Sequence, residues 1–219
     1  MFDFLVFIGR FQPFHLAHQA VIQQAFKRSK SVIVLLGSAQ PEEGFSETSF
    51  RPACFVSNTA PGSDSTRTLK NLFTASEREQ MIRAAFSAEQ QRQLHFAGLV
   101  DVFNDEKWTG LVKLAVQDIV QHSAQAANSN PASTVGLIGH FKDQSSYYLS
   151  LFPEWPLVEL ENYFELSATP IREQYLLGHL PTLAQVPLST LDYLMQFQQT
   201  PAYQALQQQA RQALKEQEF

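Results

Sequence analysis

Three short, nearly all-apolar runs, each followed by a glycine, constrain the fold of this chain more than any other feature. The runs cover residues 2–8, 31–36 and 134–138, and the glycines that end them are Gly9, Gly37 and Gly139. Continuous apolar runs of this length are typical of strands that are buried on both faces of a parallel sheet. A shorter run at residues 157–160 is a candidate fourth strand.

Helical patterns separate these runs. Residues 18–27, 74–86 and 111–120 each place apolar side chains on one face at the 3.6-residue period of an α-helix. The second pattern begins with a Thr74-x-x-Glu77 capping box, which marks a helix start. Strands that alternate with helices predict crossover units, and hence an α/β fold with a doubly wound parallel sheet.

The length of 219 residues fits one domain with an extension better than two full domains. We predict a domain over residues 1–185 and a C-terminal helical extension over residues 186–219, with Pro201 at the first position of the last helix. Residues 40–66 are rich in Ser, Pro, Gly and Glu and keep no period. We expect them to form an excursion that is mobile without ligand and dispensable for the chemical step.

The charge and the cysteine content exclude several classes of protein. Sixteen Lys and Arg against 21 Asp and Glu give a net charge of −5, which does not favour sequence-independent binding of nucleic acid. No apolar run approaches the ~20 residues of a membrane-spanning helix. Cys54 is the only cysteine, and Asp3 stands where a signal peptide would carry positive charge. We therefore expect a soluble cytoplasmic protein that binds neither nucleic acid nor membranes.

The first chemically informative motif is residues 9–18, GRFQPFHLAH, at the junction of the first predicted strand and helix. In an open parallel sheet, ligands bind outside the carboxyl ends of the strands, and a helix N-terminus there suits phosphate. His15 and His18 lie on one face of a helical turn, where their imidazoles suit hydrogen bonding to one triphosphate. Arg10 adds a positively charged guanidinium at the same junction. The alternatives are two structural histidines or a metal site, although no third metal ligand is evident.

The second motif is residues 166–172, LSATPIR. Ser167 or Thr169 is placed to cap a helix, and Pro170 suits its first turn. An ordinary helix start explains this pattern on its own. The functional interpretation is a second phosphate-binding helix end, with hydroxyl donors and with Arg172 reaching the phosphates.

Both motifs resemble signatures of the nucleotidylyltransferase superfamily, namely its (H/T)-x-G-H and I-S-x-T-x-x-R elements. Three further stretches are similar to segments of one family within it. They are residues 71–78 (NLFTASER), 104–108 (NDEKW) and 139–149 (GHFKDQSSYYL). From about residue 4 to residue 205, with residues 40–66 outside the match, the chain resembles the nicotinamide-nucleotide adenylyltransferases, in the branch often fused to a Nudix hydrolase.

The resemblance implies a Rossmann-like nucleotidylyltransferase fold and an enzyme that makes NAD and pyrophosphate from ATP and nicotinamide mononucleotide, with Mg²⁺ on the phosphates. We also expect a homo-oligomer. The implied catalytic residues are Arg10, His15, His18 and Arg172; the ATP-binding residues are Gly9, Phe11, Gln12, Gly139, His140, Ser167 and Thr169; and the mononucleotide-binding residues are Trp108, Lys142 and Asp143. Trp108 would stack on the cationic pyridine ring. A core role for Trp108, and an exposed loop ion pair of Lys142 with Asp143, are the alternatives.

The sequence departs from the family pattern at two positions and lacks one segment. Ala17 stands where the superfamily usually has Gly, and Leu72 replaces a Pro; we expect both to be tolerated. The chain has no Nudix signature, so we expect no Nudix activity from it. The remaining alternatives are another acceptor (nicotinate mononucleotide, phosphopantetheine or flavin mononucleotide) and a non-catalytic nucleotide-sensing module. The R-T-x-G-I-S-T segment expected of cytidylyltransferases is absent.

Overall fold

A computed structural model describes residues 1–37, 67–102, 104–126, 133–140, 144–160 and 166–217. The excursion predicted at residues 40–66 lies outside the described residues, and so do Lys142 and Asp143. The strands and helices are β1 (Phe2–Gly9), α1 (Leu16–Phe26), β2 (Ser29–Leu36), α2 (Ala75–Ala84), α3 (Ala88–Arg92), β3 (Leu94–Gly98), α4 (Asp105–Ala126), β4 (Val135–Gly139), a 3-10 helix (Gln144–Leu151), β5 (Leu157–Glu159), α5 (Ala168–Leu176), α6 (Leu188–Phe197) and α7 (Pro201–Gln217).

Within the described residues, the chain divides into two interleaved compact units. The first unit contains the five strands, the C-terminal part of α1, α3, α4 and the 3-10 helix. The second contains residues 10–19, which include the start of α1, together with α2, α5, α6 and α7. The domain boundary between residues 185 and 186 stays a prediction.

The five strands form one parallel sheet in the order β3-β2-β1-β4-β5. This confirms the α/β fold, and the four predicted strands lie where the apolar runs placed them. The order reverses between β1 and β4, which is the point of such a sheet where ligands bind. β3 was not predicted, because its five residues LHFAG are too few and too mixed to form a continuous apolar run.

One face of this sheet packs against α4. Val112, Ala115, Val116 and Ile119 share a buried cluster with residues of β1, β2 and β4. The helix is longer than the predicted residues 111–120, because its N-terminus is well capped. The Asn104 side chain accepts a hydrogen bond from the Lys107 amide at 2.8 Å, and its carbonyl accepts one from the Trp108 amide at 2.8 Å. Asp105 and Glu106 then favour the positive end of the helix dipole.

The start of β4 requires a glycine. A Cβ atom at Gly136 would lie 2.6 Å from Cε1 of Phe2 and 2.8 Å from the carbonyl oxygen of Pro156. The Pro156 oxygen belongs to the main chain and cannot move aside cheaply. By contrast, a Cβ atom at Gly110 in α4 would have no neighbour within 4 Å.

In the second unit, α2 begins with the predicted capping box. The Thr74 hydroxyl accepts from the Glu77 amide at 3.3 Å, and Glu77 accepts from the Thr74 amide at 2.7 Å. Arg67 also pairs with Glu77 at 2.7 Å. Burial alone would raise the pKa of Glu77, but hydrogen bonds from Arg67, from the Thr74 amide and from the Tyr193 hydroxyl hold that pKa below its ordinary 4.5.

The last helix, α7, begins at Pro201 as predicted and packs within the second unit. Its buried residues are Ala202, Tyr203, Leu206 and Ala210, on one helical face. The Tyr203 hydroxyl donates to the carbonyl of Tyr175 at 2.7 Å, and the Tyr175 hydroxyl donates to the carbonyl of Leu194 at 2.8 Å. The Gln-rich stretch is therefore flanked by core contacts. None of the helices in the described part of the chain has the length and apolar character needed to cross a membrane.

Candidate active site

The loop that follows β1 is buried and adopts an unusual conformation. Phe11 has φ +50°, in the left-handed region that bulky side chains rarely occupy, and the Gln12–Pro13 peptide bond is cis. Phe11 and Phe14 are both fully buried. A phenylalanine in the left-handed region persists only where its surroundings hold the main chain, so the contacts on either side of Phe11 matter for the shape of this loop.

Gln12 holds the loop through its side-chain amide. Its Oε1 accepts from the Phe73 amide at 2.9 Å, and its Nε2 donates to the Phe73 carbonyl at 2.7 Å. The side chain is 1% exposed. Both polar atoms of the Gln12 side chain therefore bond to the main chain of Phe73. Gln12 was predicted to bind ATP, whereas this geometry favours a role in positioning the loop.

The two predicted catalytic histidines lie side by side in the second unit. The ring centroids of His15 and His18 are 3.6 Å apart and the planes differ by 23°. The Phe14 ring stacks on His18 at 5.9 Å, and the Phe11 ring meets it edge-on at 4.8 Å. His15 precedes α1, whose Gln19 amide donates to its carbonyl at 3.0 Å. Phe11 and Phe14 thus pack directly on the His18 ring, and His15 is held to this aromatic group by its stack on His18.

Metal ligation was an alternative interpretation of the histidine pair. Ring nitrogens coordinate a metal in the plane of the ring, so two stacked rings do not converge readily on one ion. Among the described residues, no group of three or more His, Cys, Asp and Glu side chains is arranged to hold a metal. The geometry therefore favours the hydrogen-bonding interpretation of His15 and His18.

Arg172 is positioned by three hydrogen bonds in the second unit. Nε donates to the Leu69 carbonyl at 3.1 Å, Nη1 to the Gln12 carbonyl at 3.1 Å, and Nη2 to the Thr169 hydroxyl at 3.3 Å. Three of the five N–H groups of a guanidinium are thereby used. Within the described part of the chain, one N–H on each terminal nitrogen is left for a ligand.

The charge of Arg10 acts on Arg172. Burial lowers the pKa of Arg172 from its ordinary value, the Glu173 carboxylate opposes this, and the positive charge of Arg10 lowers the pKa further. Arg10 itself is exposed. Two like charges near each other favour a bound anion, because the anion relieves their repulsion.

The N-terminus of α5 adds main-chain donors beside Arg172. Ser167 occupies the N-cap position with an extended backbone, but its hydroxyl makes no capping hydrogen bond. Thr169 is exposed in the first turn, together with Pro170. The sequence thus placed the start of α5 correctly. Ser167 is the N-cap residue, but the capping hydrogen bond that its hydroxyl was expected to make is not formed. A helix N-terminus of this kind suits an anion.

The first unit contains the other predicted residues that are described. Gly9 ends β1 and Gly139 ends β4, on the two strands between which the sheet order reverses. Their carbonyls accept from the amides of Gly37 and Leu160, each at 2.8 Å. His140 follows directly and is partly buried.

Trp108 belongs to an aromatic group in the first unit. Its ring is partly buried and lies 6.0 Å from the Tyr148 ring and 5.9 Å from the Phe152 ring. Tyr148 donates to the carbonyl of Ile8 at 3.2 Å, and burial raises the pKa of its hydroxyl to about 12. Tyr147 is exposed and donates to Asp105 at 2.9 Å, which raises its pKa. One side of the Trp108 ring therefore packs on the core, and the partial exposure leaves surface for a ligand.

Arg78, for which no role was predicted, is 0% exposed. Its Nη1 donates to the Arg10 carbonyl at 2.7 Å and its Nε to the Thr74 carbonyl at 3.2 Å. In the sequence, Arg78 is distinguished only as the last residue of the family-like segment at residues 71–78. Ala17, the departure from the superfamily pattern, is buried in the first turn of α1, and Leu72 is fully buried.

Comparisons with known proteins identify the family of this chain. Residues 6–54 match the cytidylyltransferase-like family. The nicotinamide/nicotinic acid mononucleotide adenylyltransferase of Acinetobacter baylyi is 47% identical over 211 residues, which cover 96% of this chain and 94% of that protein. The nicotinamide-nucleotide adenylyltransferase of Pyrococcus abyssi is 27% identical over 190 residues, covering 86% and 81%.

A solved structure gives the same result. The bifunctional NMN adenylyltransferase/ADP ribose pyrophosphatase of Francisella tularensis, in complex with AMP and a manganese ion, superposes with a TM-score of 0.71 at 26% identity. The superposition covers 98% of this chain and 54% of that protein. The chain thus spans about half the length of this bifunctional relative.

Proposed function

The chain belongs to the nicotinamide/nicotinic acid mononucleotide adenylyltransferase family, and from that premise we propose that it transfers AMP from ATP to nicotinamide mononucleotide, forming NAD and pyrophosphate. The observation that carries the proposal is the set of hydrogen-bond donors in the second unit. It comprises two stacked imidazoles, the Arg172 guanidinium on which the charge of Arg10 acts, and the N-terminus of α5. Such a group suits a polyphosphate rather than a single carboxylate.

The reaction requires alignment and charge stabilisation. A phosphate oxygen of the mononucleotide forms a bond to the α-phosphorus of ATP, and the bond from that phosphorus to the β-bridging oxygen breaks. The nucleophile is already anionic at neutral pH, so the protein needs neither a general base nor a covalent intermediate. Negative charge grows on the bridging oxygen and on the departing pyrophosphate, which calls for fixed hydrogen-bond donors.

We assign this stabilisation to Arg10, His15, His18 and Arg172. The stacked imidazoles are rigid donors, and Arg172 keeps an N–H on each terminal nitrogen within the described part of the chain. Donors that are held in place before the reaction cost no reorganisation when charge develops.

The other residues receive supporting roles in this proposal. Trp108 is proposed to stack on the pyridine ring, which its partly exposed indole supports. The resemblance to the family also assigns Lys142 and Asp143 to the mononucleotide. It assigns to ATP the residues Gly9, Phe11, Gln12, Gly139, His140, Ser167 and Thr169, of which Gln12 acts by positioning the loop.

We propose Mg²⁺ as the divalent ion of this reaction, since the Francisella relative was solved with manganese. The described residues do not form a protein cage for such an ion. In this proposal the phosphates of ATP would hold the ion, and the ion would neutralise part of their charge. We also propose that the enzyme works in the cytoplasm, and its assembly into a homo-oligomer stays a prediction.

A second acceptor, nicotinate mononucleotide, is favoured by one observation. The name of the Acinetobacter relative covers both the amide and the acid. The two acceptors differ in one group on the pyridine ring and carry the same phosphate, so the donors of the second unit would not distinguish their phosphates. We therefore propose both as candidate acceptors, with the amide first.

The test is a measurement of pyrophosphate release with purified protein, ATP, Mg²⁺ and a panel of acceptors. The panel contains nicotinamide mononucleotide, nicotinate mononucleotide, phosphopantetheine and flavin mononucleotide. We expect release with the pyridine mononucleotides and background with the others. Binding of ATP and mononucleotide without any release would favour the nucleotide-sensing alternative.

A further inference from the structure

We propose that Arg78 is a positioning residue for adenylyl transfer, because it holds the main chain of Arg10 so that the Arg10 side chain can meet the triphosphate. The inference rests on the proposed function. It assigns a role to a fully buried side chain of α2.

The contacts of Arg78 are directed at the main chain of the loop. Its Nη1 donates to the carbonyl of Arg10 at 2.7 Å, a short and charge-assisted bond. Its Nε donates to the carbonyl of Thr74, the residue that caps α2. A guanidinium in the interior of the second unit is thus tied both to the start of its own helix and to a residue whose own side chain is exposed.

Packing alone does not explain an arginine at this position. Burying a guanidinium is unfavourable unless hydrogen bonds compensate for the lost hydration. The neighbouring buried positions of α2 carry Met81 and Ile82, which fill space without that penalty. What Arg78 supplies beyond volume is a rigid fork of donors, and one prong of that fork reaches the Arg10 carbonyl.

Arg172 makes the matching contact on the other side of Phe11. Arg78 holds the carbonyl of Arg10 and Arg172 holds the carbonyl of Gln12, while Phe11 between them has φ +50°. A main chain in this unfavourable region returns to a commoner conformation when its restraints are removed. Loss of the Arg78 contact would therefore change the direction of the Cα–Cβ bond of Arg10.

The position of the Arg10 charge matters because that charge works together with Arg172. The two charges are close enough for Arg10 to lower the pKa of Arg172, so a displaced Arg10 side chain would weaken the anion site. A misplacement of about 1 Å can cost ~10²-fold in rate. Arg78 should therefore affect kcat through Arg10 alone.

The experiment is a double-mutant cycle in the full chain. Arg78→Met and Arg78→Lys are each made in the wild type and in Arg10→Ala, and kcat, the KM for ATP and the melting temperature are measured. Arg83→Met is the control, because Arg83 lies on the same helix, pairs with Glu79 and is partly exposed. We expect Arg83→Met to leave kcat unchanged within error.

We expect Arg78→Met to lower kcat by roughly 10- to 100-fold in the wild type, and by less than about threefold once Arg10 is alanine. Arg78→Lys keeps a charged donor and should retain more activity than Arg78→Met. Equal losses in both Arg10 backgrounds, or a lower melting temperature with unchanged kcat, would overturn the inference.

Two further outcomes are decisive. Where Arg78→Met does not fold, the same cycle with Arg78→Lys decides, and additive losses overturn the inference. A wild type that releases no pyrophosphate overturns the proposed function and this inference with it. An active wild type with additive losses overturns only the role of Arg78.

Discussion

Replacement of His18 by phenylalanine separates the chemistry of the imidazole from its packing. The His18 ring stacks on His15 at 3.6 Å and on Phe14 at 5.9 Å, and phenylalanine keeps these ring contacts. Such contacts are worth ~0.5–1.5 kcal/mol per aromatic pair. The substitution removes the ring N–H, and a donor used mainly in the transition state is worth ~10²–10³ in rate, or about 2.7–4 kcal/mol.

We therefore expect His18→Phe to lower kcat by at least ~10²-fold, with a much smaller change in the KM for ATP and a near-normal melting temperature. His18→Ala should lose a similar factor in kcat and, in addition, melt earlier because the ring contacts are gone. His122→Phe, on the exposed face of α4, controls for the loss of an imidazole as such. The assay is steady-state pyrophosphate release, with thermal unfolding measured in parallel. A folded His18→Phe variant with near-normal kcat would refute the catalytic role of His18.

Three other predictions follow from the described contacts. Trp108→Ala should weaken mononucleotide binding by about 2- to 30-fold in calorimetry and leave ATP binding unchanged. Trp155→Ala, which loses the stack on Phe152, should lower stability without affecting binding. Equal effects of the two variants on mononucleotide binding would contradict this prediction. Gly136→Ala should lower the free energy of unfolding in urea by about 1–3 kcal/mol, because the added Cβ meets a main-chain oxygen. Gly110→Ala should leave that free energy unchanged or raise it by up to ~1 kcal/mol. An unchanged free energy of unfolding in Gly136→Ala would contradict the predicted clash. The pKa of Glu77 is lower in the folded state than its ordinary 4.5. The ionised Glu77 side chain therefore stabilises the fold above pH 4.5, and this contribution is lost as the pH falls through the lowered folded-state pKa. Glu77→Gln should thus be less stable than the wild type at pH 7, with a difference that shrinks below about pH 4.5, and a pH-independent difference in urea unfolding would contradict the assignment.

The parts of the fold that depend on burial could be predicted from the sequence. β1 and β2 are covered on both faces, so their apolar runs are continuous and end at Gly9 and near Gly37. The capping box of α2 and the proline at the start of α7 are local signals, and both helices begin where those signals stand. β3 escaped prediction, because five residues that include a histidine carry too little pattern.

The sequence supplies candidate residues for the site, whose assignment stays a prediction, but it does not indicate the contacts that these residues make. The spacing of His15 and His18 indicates that they share a helical face. It does not indicate that the Phe11 and Phe14 rings pack against His18. The side-chain amide of Gln12 is engaged by the main chain of a residue 61 positions away.

The same limit applies to buried polar residues. No period or short motif distinguishes the buried Arg78 from a surface arginine, because its role depends on a hydrogen bond to a residue 68 positions earlier. Tertiary contacts at such separations leave no signal in a single sequence. Only the similarity of residues 71–78 to a family segment pointed to this region.

In the proposed reaction, AMP passes directly from ATP to a pyridine mononucleotide. A single-turnover experiment tests this transfer, with the protein in excess over ATP labelled at the α-phosphorus, and with nicotinamide mononucleotide and Mg²⁺ present. We predict that the label appears in NAD, that one pyrophosphate is released for each NAD formed, and that no label is retained on the protein after denaturation. Label that stays in ATP while both substrates are bound, or that becomes covalently attached to the protein, would contradict the account.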